Sequence, residues 1–229
     1  MNLNGIELVV FDMAGTTVEE GKTVYQCVKR ALEKVGIHLE LEEVFRAIGG
    51  MNKTEGIAQL IDEYAPETSL VDREAVNVAF FNSLIQRYAE TDEIAAYPGA
   101  EELFAELRTR GIKVALDTGY SREIVDLLLQ RLGWTVPGTV DFTVTSDEVE
   151  AGRPASDMIR KIMAYFEIND PAKVMKVGDT QSDMEEGLNA QCKYIVGVAS
   201  NMFGREELTQ LGATHVVTNL MEIMDHAEA

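Results

Sequence analysis

Six short apolar segments recur along the chain, one near its start and five after residue 110. Each has the length and apolar content of a buried β-strand, and each is bounded by polar or turn-forming residues. The predicted strands are Ile6 to Phe11, Lys113 to Asp117, Val140 to Thr145, Lys173 to Val177, Tyr194 to Val198 and His215 to Val217.

Most of these strands are separated by segments whose apolar residues recur at spacings of three and four. That period is typical of a helix that packs one face on a sheet. Strands that alternate with helices in this way indicate an α/β fold, a doubly wound and mainly parallel sheet. The predicted helices are Ala100 to Arg110, Arg122 to Leu132, Asp157 to Phe166 and Asp183 to Ala190.

The segment from Val18 to Ala96 departs from this alternation, because it contains four predicted helices and no convincing strand. It follows the first strand and ends at the turn Tyr97-Pro98-Gly99. An insertion at this point lies over the carboxyl end of the first strand. We therefore predict an α/β core domain of residues 1–17 and 97–229 and an inserted α-helical cap domain of residues 18–96.

The composition excludes several classes of partner. The formal net charge is −19 and the pI is about 4.5, so nucleic acid and anionic membrane surfaces would be repelled. The chain has no apolar run of 18 residues and no basic amino-terminal segment, which predicts a cytoplasmic protein. Its two cysteines form no CxxC pair, in keeping with a reducing compartment.

The first candidate for chemistry is Asp12, which follows the first apolar strand and precedes Met13-Ala14-Gly15-Thr16-Thr17. A carboxylate at the carboxyl edge of a parallel sheet is placed to act as a nucleophile. Two residues later, where a second acid would protonate a departing oxygen, the chain has Ala14. The hexapeptide therefore raises the question of which leaving group needs no acid there.

Two further loops carry groups suited to phosphoryl chemistry. The second strand ends at Asp117-Thr118-Gly119-Tyr120, where a hydroxyl and a backbone amide can donate to an anionic oxygen, although a capped helix start has the same composition. Arg153, just before Pro154 and a predicted helix, can reach the sheet edge and neutralise phosphoryl charge. An exposed arginine near acidic residues is the alternative interpretation.

The fourth loop, Val177-Gly178-Asp179-Thr180-Gln181-Ser182-Asp183, places two carboxylates four residues apart. Asp179 ends a strand and Asp183 opens a helix, so the pair can supply oxygen ligands to a hard divalent cation. A turn residue and a helix N-cap would explain the same two aspartates. The presence of Asp12 at the end of another strand favours the metal site.

In this order the four motifs resemble those of the haloacid dehalogenase superfamily. They are Asp12-x-Ala-Gly-Thr, Thr118-Gly119, Arg153 before Pro154, and Gly178-Asp179-x-x-x-Asp183. Most phosphatases of the superfamily have an aspartate at the position of Ala14 and a lysine at that of Arg153. With alanine and arginine at these two positions and the Thr-Gly-Tyr motif, this chain is similar to phosphonoacetaldehyde hydrolase and its phosphonatase-like relatives.

This resemblance implies a role for each motif. Asp12 would attack phosphorus, and Arg153 would take the place of the usual lysine as counter-charge. Because a carbon leaving group needs no acid at residue 14, Ala14 is consistent with cleavage of a carbon to phosphorus bond. Mg²⁺ would be held by Asp12, the backbone carbonyl of Ala14, Asp179 and, directly or through water, Asp183. The residues expected to bind the substrate are Gly15, Thr16, Thr118, Gly119 and Tyr120.

Lys53, in Gly49-Gly50-Met51-Asn52-Lys53, matches the family lysine that forms a Schiff base with the substrate aldehyde. Asn52 and Glu55 predict a helix cap that places Lys53 in the first turn, where the helix dipole disfavours a cation and lowers its pKa. A solvated surface lysine on an acidic cap is the alternative.

Three positions depart from the phosphonatase pattern: Lys22 stands in place of a cysteine, Gly49 of a methionine and Gly56 of a histidine. They suggest a relative that acts on another phosphonate, or a lysine that binds an anion without forming an imine. Three functions therefore remain open: a Mg²⁺-dependent phosphonatase-like hydrolase, a phosphomonoesterase of small metabolites such as phosphoglycolate or sugar phosphates, and a non-catalytic binder of phosphate compounds. A homodimer formed through the cap is a further expectation from the family.

Overall fold

The structure, a computed structural model, describes residues 1–65 and 72–225. Six parallel strands form a central sheet in the order β5-β4-β1-β6-β7-β8, and β2 and β3 form a separate antiparallel pair. The strands are, in chain order, β1 (Leu8–Asp12), β2 (Val18–Glu19), β3 (Ala95–Ala96), β4 (Lys113–Thr118), β5 (Phe142–Thr145), β6 (Val174–Gly178), β7 (Tyr194–Val198) and β8 (His215–Val217).

Helices cover the sheet and account for most of the chain between the strands. The four helices predicted for the α/β core are confirmed; one has the predicted bounds, and each of the other three is shifted at one end by one or two residues. They are, in chain order, α1 (Thr23–Glu33), α2 (Leu41–Ile48), α3 (Lys53–Tyr64), α4 (Arg73–Glu90), α5 (Ala100–Thr109), α6 (Arg122–Leu132), α7 (Asp157–Tyr165), α8 (Gln181–Ala190), α9 (Arg205–Gln210) and α10 (Glu222–Asp225).

The prediction of a doubly wound parallel sheet is confirmed, and all six predicted strands exist. Three of them, β1, β5 and β6, begin one or two residues later than predicted, and turns precede β1 and β6. The amide of Ile6 donates to the carbonyl of Leu3, and Lys173 belongs to a single 3₁₀ turn that is capped by the carboxylate of Asp170. Local hydrogen bonds therefore set these strand starts, and the apolar pattern does not report them.

Four helices, α1 to α4, lie between β2 and β3, and we refer to them as the helical insertion. The expectation of no strand between Val18 and Ala96 was wrong, because β2 and β3 pair antiparallel, with Val18 opposite Ala96. The pair ties the outgoing chain to the returning chain where the insertion leaves the sheet. The domain bounds at residues 17, 18, 96 and 97 stay a prediction, and residues 66–71 and 226–229 lie outside the described residues.

The interior of the sheet is apolar, as expected for parallel strands that helices cover on both faces. All five residues of β1 are buried, which leaves Asp12 at its end as a carboxylate at the edge of a dry core. In β6 the apolar run is interrupted by Lys176, which is fully buried. Within the described residues, none of the helices combines the length and the apolar character needed to cross a membrane.

Candidate active site

Asp12 is the last residue of β1 and lies beside Asp117 in the register of β1 and β4. A tight turn follows it, in which the amide groups of Thr17 and Val18 donate to the carbonyl of Met13 at 2.8 and 2.7 Å. Burial raises the pKa of the Asp12 carboxyl to about 6; Arg153 opposes this effect. The turn thus holds a desolvated carboxylate at the carboxyl edge of the sheet.

A small cavity of about 10 Å³ lies directly above Asp12, which is room for about one water molecule. Its wall contains six residues that the sequence singled out, drawn from β1, the β4 loop and the helical insertion. Tyr25 and Gly50 complete the lining. The six are Asp12, Ala14, Lys53, Thr118, Gly119 and Tyr120.

Lys53 begins α3 and points its amine into this cavity region. Asn52 caps the helix by accepting from the amide groups of Thr54 and Glu55, at 2.9 and 3.2 Å. The Lys53 residue is only 6% exposed, which excludes a solvated surface lysine. Its Nζ donates to the Met51 carbonyl oxygen at 2.7 Å.

Burial lowers the pKa of the Lys53 amine to about 8, even though the carboxylate of Asp12 acts in the opposite direction. The helix dipole was expected to lower this pKa as well, but desolvation is the larger cause. Tyrosine rings from two sides enclose the amine: Nζ lies 5.2 Å from the ring centroid of Tyr25 and 5.9 Å from that of Tyr120. A fraction of the amine is therefore neutral near physiological pH.

The segment that carries Lys53 is docked on three loops of the sheet. Asn52 Nδ2 donates to Ser146 Oγ at 2.8 Å, and Ser182 Oγ donates to the carbonyl of Gly49. Gly119 has no room for a side chain, because a Cβ there would collide with the carbonyl oxygen of Met51. The glycine of the Thr118-Gly119 motif is therefore required, at least in part, for close approach of the Lys53 segment.

Arg153 is fully buried and joins the loops below the cavity. Its NH1 lies 2.6 Å from Asp12 Oδ1 and its Nε lies 2.8 Å from Glu186 Oε2. Its NH2 contacts the carboxylate of Asp117 and donates to the Asp117 carbonyl at 2.9 Å. The exposed arginine that the sequence left open is excluded, and the guanidinium lies directly beside the proposed nucleophile.

Three charged residues of this site were missed in the sequence: Asp117, Lys176 and Glu186. Lys176 Nζ contacts the Asp117 carboxylate and lies 2.9 Å from Glu186 Oε2. Burial and Arg153 lower the pKa of the Lys176 amine, but Asp117 and Glu186 outweigh them and raise it above its ordinary value. A lysine within an apolar strand was a readable signal, since lysine is rarely buried without a partner.

Asp12, Asp179 and Asp183 can each place one carboxylate oxygen within 4.8 Å of the others, so the described residues contain a compact acidic site. Burial, together with repulsion from Asp12 and Asp183, raises the pKa of Asp179 well above its ordinary range. Asp183 Oδ1 is buried, and among the described residues its partners are the cations of Arg153 and Lys176, to which it lies close without a hydrogen bond of good geometry. Hard oxygen donors that repel one another fit a divalent cation such as Mg²⁺.

Asp183 differs in detail from the sequence prediction, because α8 begins two residues earlier than expected. Thr180 is the N-cap, and Asp183 accepts from the Thr180 amide at 3.1 Å as the reciprocal member of a capping box. Its other oxygen lies 3.1 Å from Arg153 NH1 and 3.2 Å from Lys176 Nζ. Both oxygens are thus engaged, which favours contact with a cation through water.

Gly15 and Thr16, which the sequence analysis assigned to substrate binding, lie against Asp179. The Thr16 hydroxyl donates to Asp179 Oδ1 at 3.1 Å. Gly15 has a φ of 92°, and a Cβ there would lie 2.5 Å from Asp179 Oδ2. In this structure both residues position a carboxylate of the acidic site, and their contact with substrate stays a prediction.

The structure explains one of the three positions that depart from the phosphonatase pattern, Gly56, and describes the surroundings of the other two, Lys22 and Gly49. A Cβ at Gly56 would lie 2.8 Å from Ile48 Cβ, so the packing of α2 on α3 leaves no room for an imidazole. Lys22 caps α1 in the left-handed region with a φ of 57°, and its Nζ lies 5.4 Å from the ring centroid of Phe45. Gly49 packs against Thr180.

Glu20 is a further buried acid near the cavity, and nothing in the sequence around it indicated a special role. It follows β2 and is 4% exposed. Its Oε2 accepts from the Tyr88 hydroxyl at 2.8 Å and from the Val24 amide at 3.2 Å. Burial raises the pKa of the Glu20 carboxyl to about 7, and the Tyr88 hydrogen bond only partly offsets this.

Replacement of Glu20 by glutamine should change how stability depends on pH. A carboxyl whose folded-state pKa is raised from 4.5 to about 7 stabilises the fold below about pH 4.5 and loses that contribution as the pH rises to about 7. Wild type should therefore lose on the order of 3 kcal/mol across this window relative to Glu20→Gln. Urea unfolding of both proteins between pH 5 and pH 8 measures the difference, and parallel stability curves would contradict the assignment.

Comparison with known proteins identifies the family. The sequence model of the haloacid dehalogenase-like hydrolases matches residues 9–197. Phosphonoacetaldehyde hydrolase from Bacillus cereus is 35% identical over 216 residues, which cover 89% of this chain and 78% of the relative. The chain belongs to the haloacid dehalogenase-like hydrolase family, and the predicted resemblance to phosphonoacetaldehyde hydrolase is confirmed.

Solved structures agree on the fold. A phosphonoacetaldehyde hydrolase like protein from Oleispira antarctica superposes with a TM-score of 0.81 at 24% identity, covering 98% of this chain and 92% of its own. A predicted phosphoglycolate phosphatase from Haemophilus somnus gives a TM-score of 0.79 at 17% identity, covering 97% and 98%. The chain is thus a hydrolase of this family, and a non-catalytic binder is the least favoured of the three functions.

Proposed function

We propose that this protein is a Mg²⁺-dependent phosphonatase-like hydrolase that cleaves the carbon to phosphorus bond of a small phosphonate bearing a carbonyl group. Phosphonoacetaldehyde, which the Bacillus cereus relative is named for, is the first compound to test. The observation that carries the proposal is the buried amine of Lys53, whose pKa is lowered to about 8, in one cavity with Asp12 and with no acid at Ala14.

The chemistry needs an electron sink, because a carbanion is a poor leaving group. In the proposed reaction the neutral amine of Lys53 condenses with the substrate carbonyl, takes up one proton and releases water to form an iminium. Asp12 then attacks phosphorus, and the electron pair of the carbon to phosphorus bond moves into the iminium to give an enamine. The enamine takes up a proton at carbon to become an iminium again, and hydrolysis of this iminium and of the aspartyl phosphate regenerates both side chains.

The groups around Asp12 supply charge complementarity for this step. Arg153, 2.6 Å from Asp12 Oδ1, would offset charge on the transferred phosphoryl group, and the amide of Gly119 and the hydroxyl of Thr118, which line the same cavity, would donate to its oxygens. Asp12, the backbone carbonyl of Ala14 and Asp179, with Asp183 through water, would hold Mg²⁺, which when bound supplies further neutralisation. A cavity of about 10 Å³ is too small for a phosphonate, so the residues that line it must move apart to admit one.

The decisive variant is Lys53→Arg, which retains a cation but cannot form an imine. Because the iminium is the proposed electron sink, phosphate release from phosphonoacetaldehyde should fall to the level of the Asp12→Ala blank. Borohydride added during turnover should attach the substrate carbon skeleton to Lys53 in wild type, as read by peptide mass spectrometry. The assay is run with and without Mg²⁺, and phosphate release should require the metal.

Lys34→Arg is the matched control, since Lys34 lies outside the cavity wall at the end of α1. It should retain wild-type activity. Full activity of Lys53→Arg, or wild-type turnover without any adduct on Lys53, would contradict the Schiff base.

A phosphomonoesterase is the second candidate, and the hydrogen bonding of Lys53 favours it. Its Nζ already donates to the carbonyl groups of Met51 and Ile48, at 2.7 and 3.4 Å, as an ammonium would. A charged Lys53 could bind an anionic substrate group without forming an imine. Rapid turnover of phosphoglycolate or sugar phosphates, with no turnover of phosphonates, would decide for this activity.

A further inference from the structure

Three buried side chains form a hydrogen-bonded chain that ends at the Lys53 cavity. Tyr88 of α4 donates to Glu20 Oε2 at 2.8 Å, and the hydroxyl groups of Tyr88 and Tyr120 lie 3.2 Å apart. All three residues are buried: Glu20 is 4% exposed, Tyr88 0% and Tyr120 3%. Tyr120 is also part of the cavity wall that contains Asp12 and Lys53.

The hydrogen bonds at the end of this series do not require Glu20 to be a carboxylic acid. Its hydrogen-bond partners are a tyrosine hydroxyl and a backbone amide, which a glutamine side-chain oxygen would satisfy equally well. Burial of an acid without a cationic partner is costly, as the raised pKa of Glu20 shows. The property that distinguishes glutamate from glutamine here is its ability to gain and lose a proton.

Imine formation at Lys53 needs a group that accepts a proton and later returns it. A lysine must lose a proton before it attacks a carbonyl, and the hydroxyl of the resulting carbinolamine must gain one before it leaves as water. Asp12 is assigned to attack phosphorus, residue 14 is alanine, and residue 56 is a glycine packed on Ile48. None of these three residues can exchange the proton.

We propose that Glu20 stores the proton for imine chemistry at Lys53 and exchanges it through the hydroxyl groups of Tyr88 and Tyr120. This inference rests on the proposed function and names the residues that complete it. Glu20 acts through the two tyrosines and is therefore a positioning residue rather than a catalytic one.

The proton balance closes over one cycle of imine formation. Lys53 and Tyr120 line one cavity with room for about one water molecule, and in the proposed path that water takes one proton from the Lys53 ammonium and gives one to Tyr120. Tyr120 gives its own to Tyr88, and Tyr88 gives its own to the Glu20 carboxylate. The neutral amine adds to the carbonyl, and the carbinolamine forms by transfer of a second nitrogen proton to oxygen. The Glu20 proton then returns along the same path to that oxygen, water leaves, and an iminium and a Glu20 carboxylate remain.

Glu20→Gln tests this proposal, because glutamine keeps the size and the acceptor oxygen and cannot take up the proton. With phosphonoacetaldehyde and borohydride, formation of the Lys53 adduct should slow by about 10²-fold at unchanged KM. The matched control is Glu19→Gln, the exposed neighbour that accepts from the Gly21 amide, which should react at the wild-type rate.

The path itself is tested by Tyr88→Phe and Tyr120→Phe, each of which removes one hydroxyl. Either variant should slow adduct formation as much as Glu20→Gln does. Combination of Tyr88→Phe with Glu20→Gln should add no further loss, because members of a serial path are not additive. A multiplicative loss in the double variant would overturn the serial path.

The pH profile of adduct formation shows whether Glu20 exchanges a proton or contributes only to packing. Wild type should show an acid limb at the Glu20 pKa of about 7 that is absent in Glu20→Gln, whereas the limb of the Lys53 amine itself, at about 8, should persist in both. An identical profile in both proteins would overturn the proposal. The titratable groups that face Glu20 are Glu19, Tyr25, Cys27, Lys53, Tyr88, Tyr97 and Tyr120.

A second probe keeps this inference separate from the proposed substrate. Formaldehyde with borohydride methylates lysines through an imine, so the rate at Lys53 relative to exposed Lys34 reports imine formation without any phosphonate. If wild type releases no phosphate from phosphonoacetaldehyde, the proposed function fails. The proton store still stands if Glu20→Gln slows methylation at Lys53 alone, and it is overturned if both proteins react equally or if Lys53 does not react at all.

Discussion

Phosphate release should fall by about 10⁴-fold or more in Asp12→Asn, because the variant loses the proposed nucleophile. The amide has nearly the same shape and can still accept from Arg153 NH1, so the loss would come from nucleophilicity alone. Since burial raises the pKa of this carboxyl to about 6, removal of its charge should leave the melting temperature equal or higher. Initial rates of phosphate release and thermal unfolding measure the two effects together.

Asp126→Asn is the matched control, because Asp126 is exposed on α6 and pairs with Arg122 one helical turn away. It carries the same chemical change outside the cavity and should retain full activity. Substantial phosphate release by Asp12→Asn would contradict nucleophilic catalysis by this residue. Loss of both activity and folding would instead assign Asp12 a structural role.

Much of the fold was readable from the sequence, because a parallel sheet covered by helices produces apolar runs separated by helical periods. Since the carboxyl ends of parallel strands share an edge, residues that follow strands were expected to meet. Asp12 and Thr118 are the last residues of β1 and β4, and Asp179 directly follows β6. The structure brings all three to one site. Strand topology therefore carries most of the information about where the site lies.

The residues that were missed are those whose significance depends on a partner remote in sequence. Glu186 contacts Arg153 across 33 residues, and Glu20 contacts Tyr88 across 68. In the sequence each looks like an ordinary charged residue on a helix or in a loop. Only the packing of the helical insertion on the sheet shows that Glu20 is buried, and packing of this kind leaves no local pattern.

Arg153→Met should be the most destabilising substitution in the site. The variant keeps the volume of the side chain but leaves the Asp117 and Glu186 carboxylates, both fully buried, with Lys176 as their shared cation. Removal of one partner from a buried ion-pair network costs about 3 to 5 kcal/mol. For a chain of this length the melting temperature should fall by about 6 to 20 °C, and phosphate release should fall by at least about 10²-fold.

The cause of that loss can be separated from packing with a double variant. If Arg153→Met destabilises through unpaired charge, addition of Glu186→Gln should recover part of the lost stability, because burial already disfavours the Glu186 carboxylate and raises its pKa to about 8. Arg160→Met, at an exposed arginine of α7 that contacts Ser156, is the control and should unfold close to wild type. Equal and additive losses in the double variant would show that Arg153 stabilises by packing, and its place beside Asp12 would then serve catalysis alone.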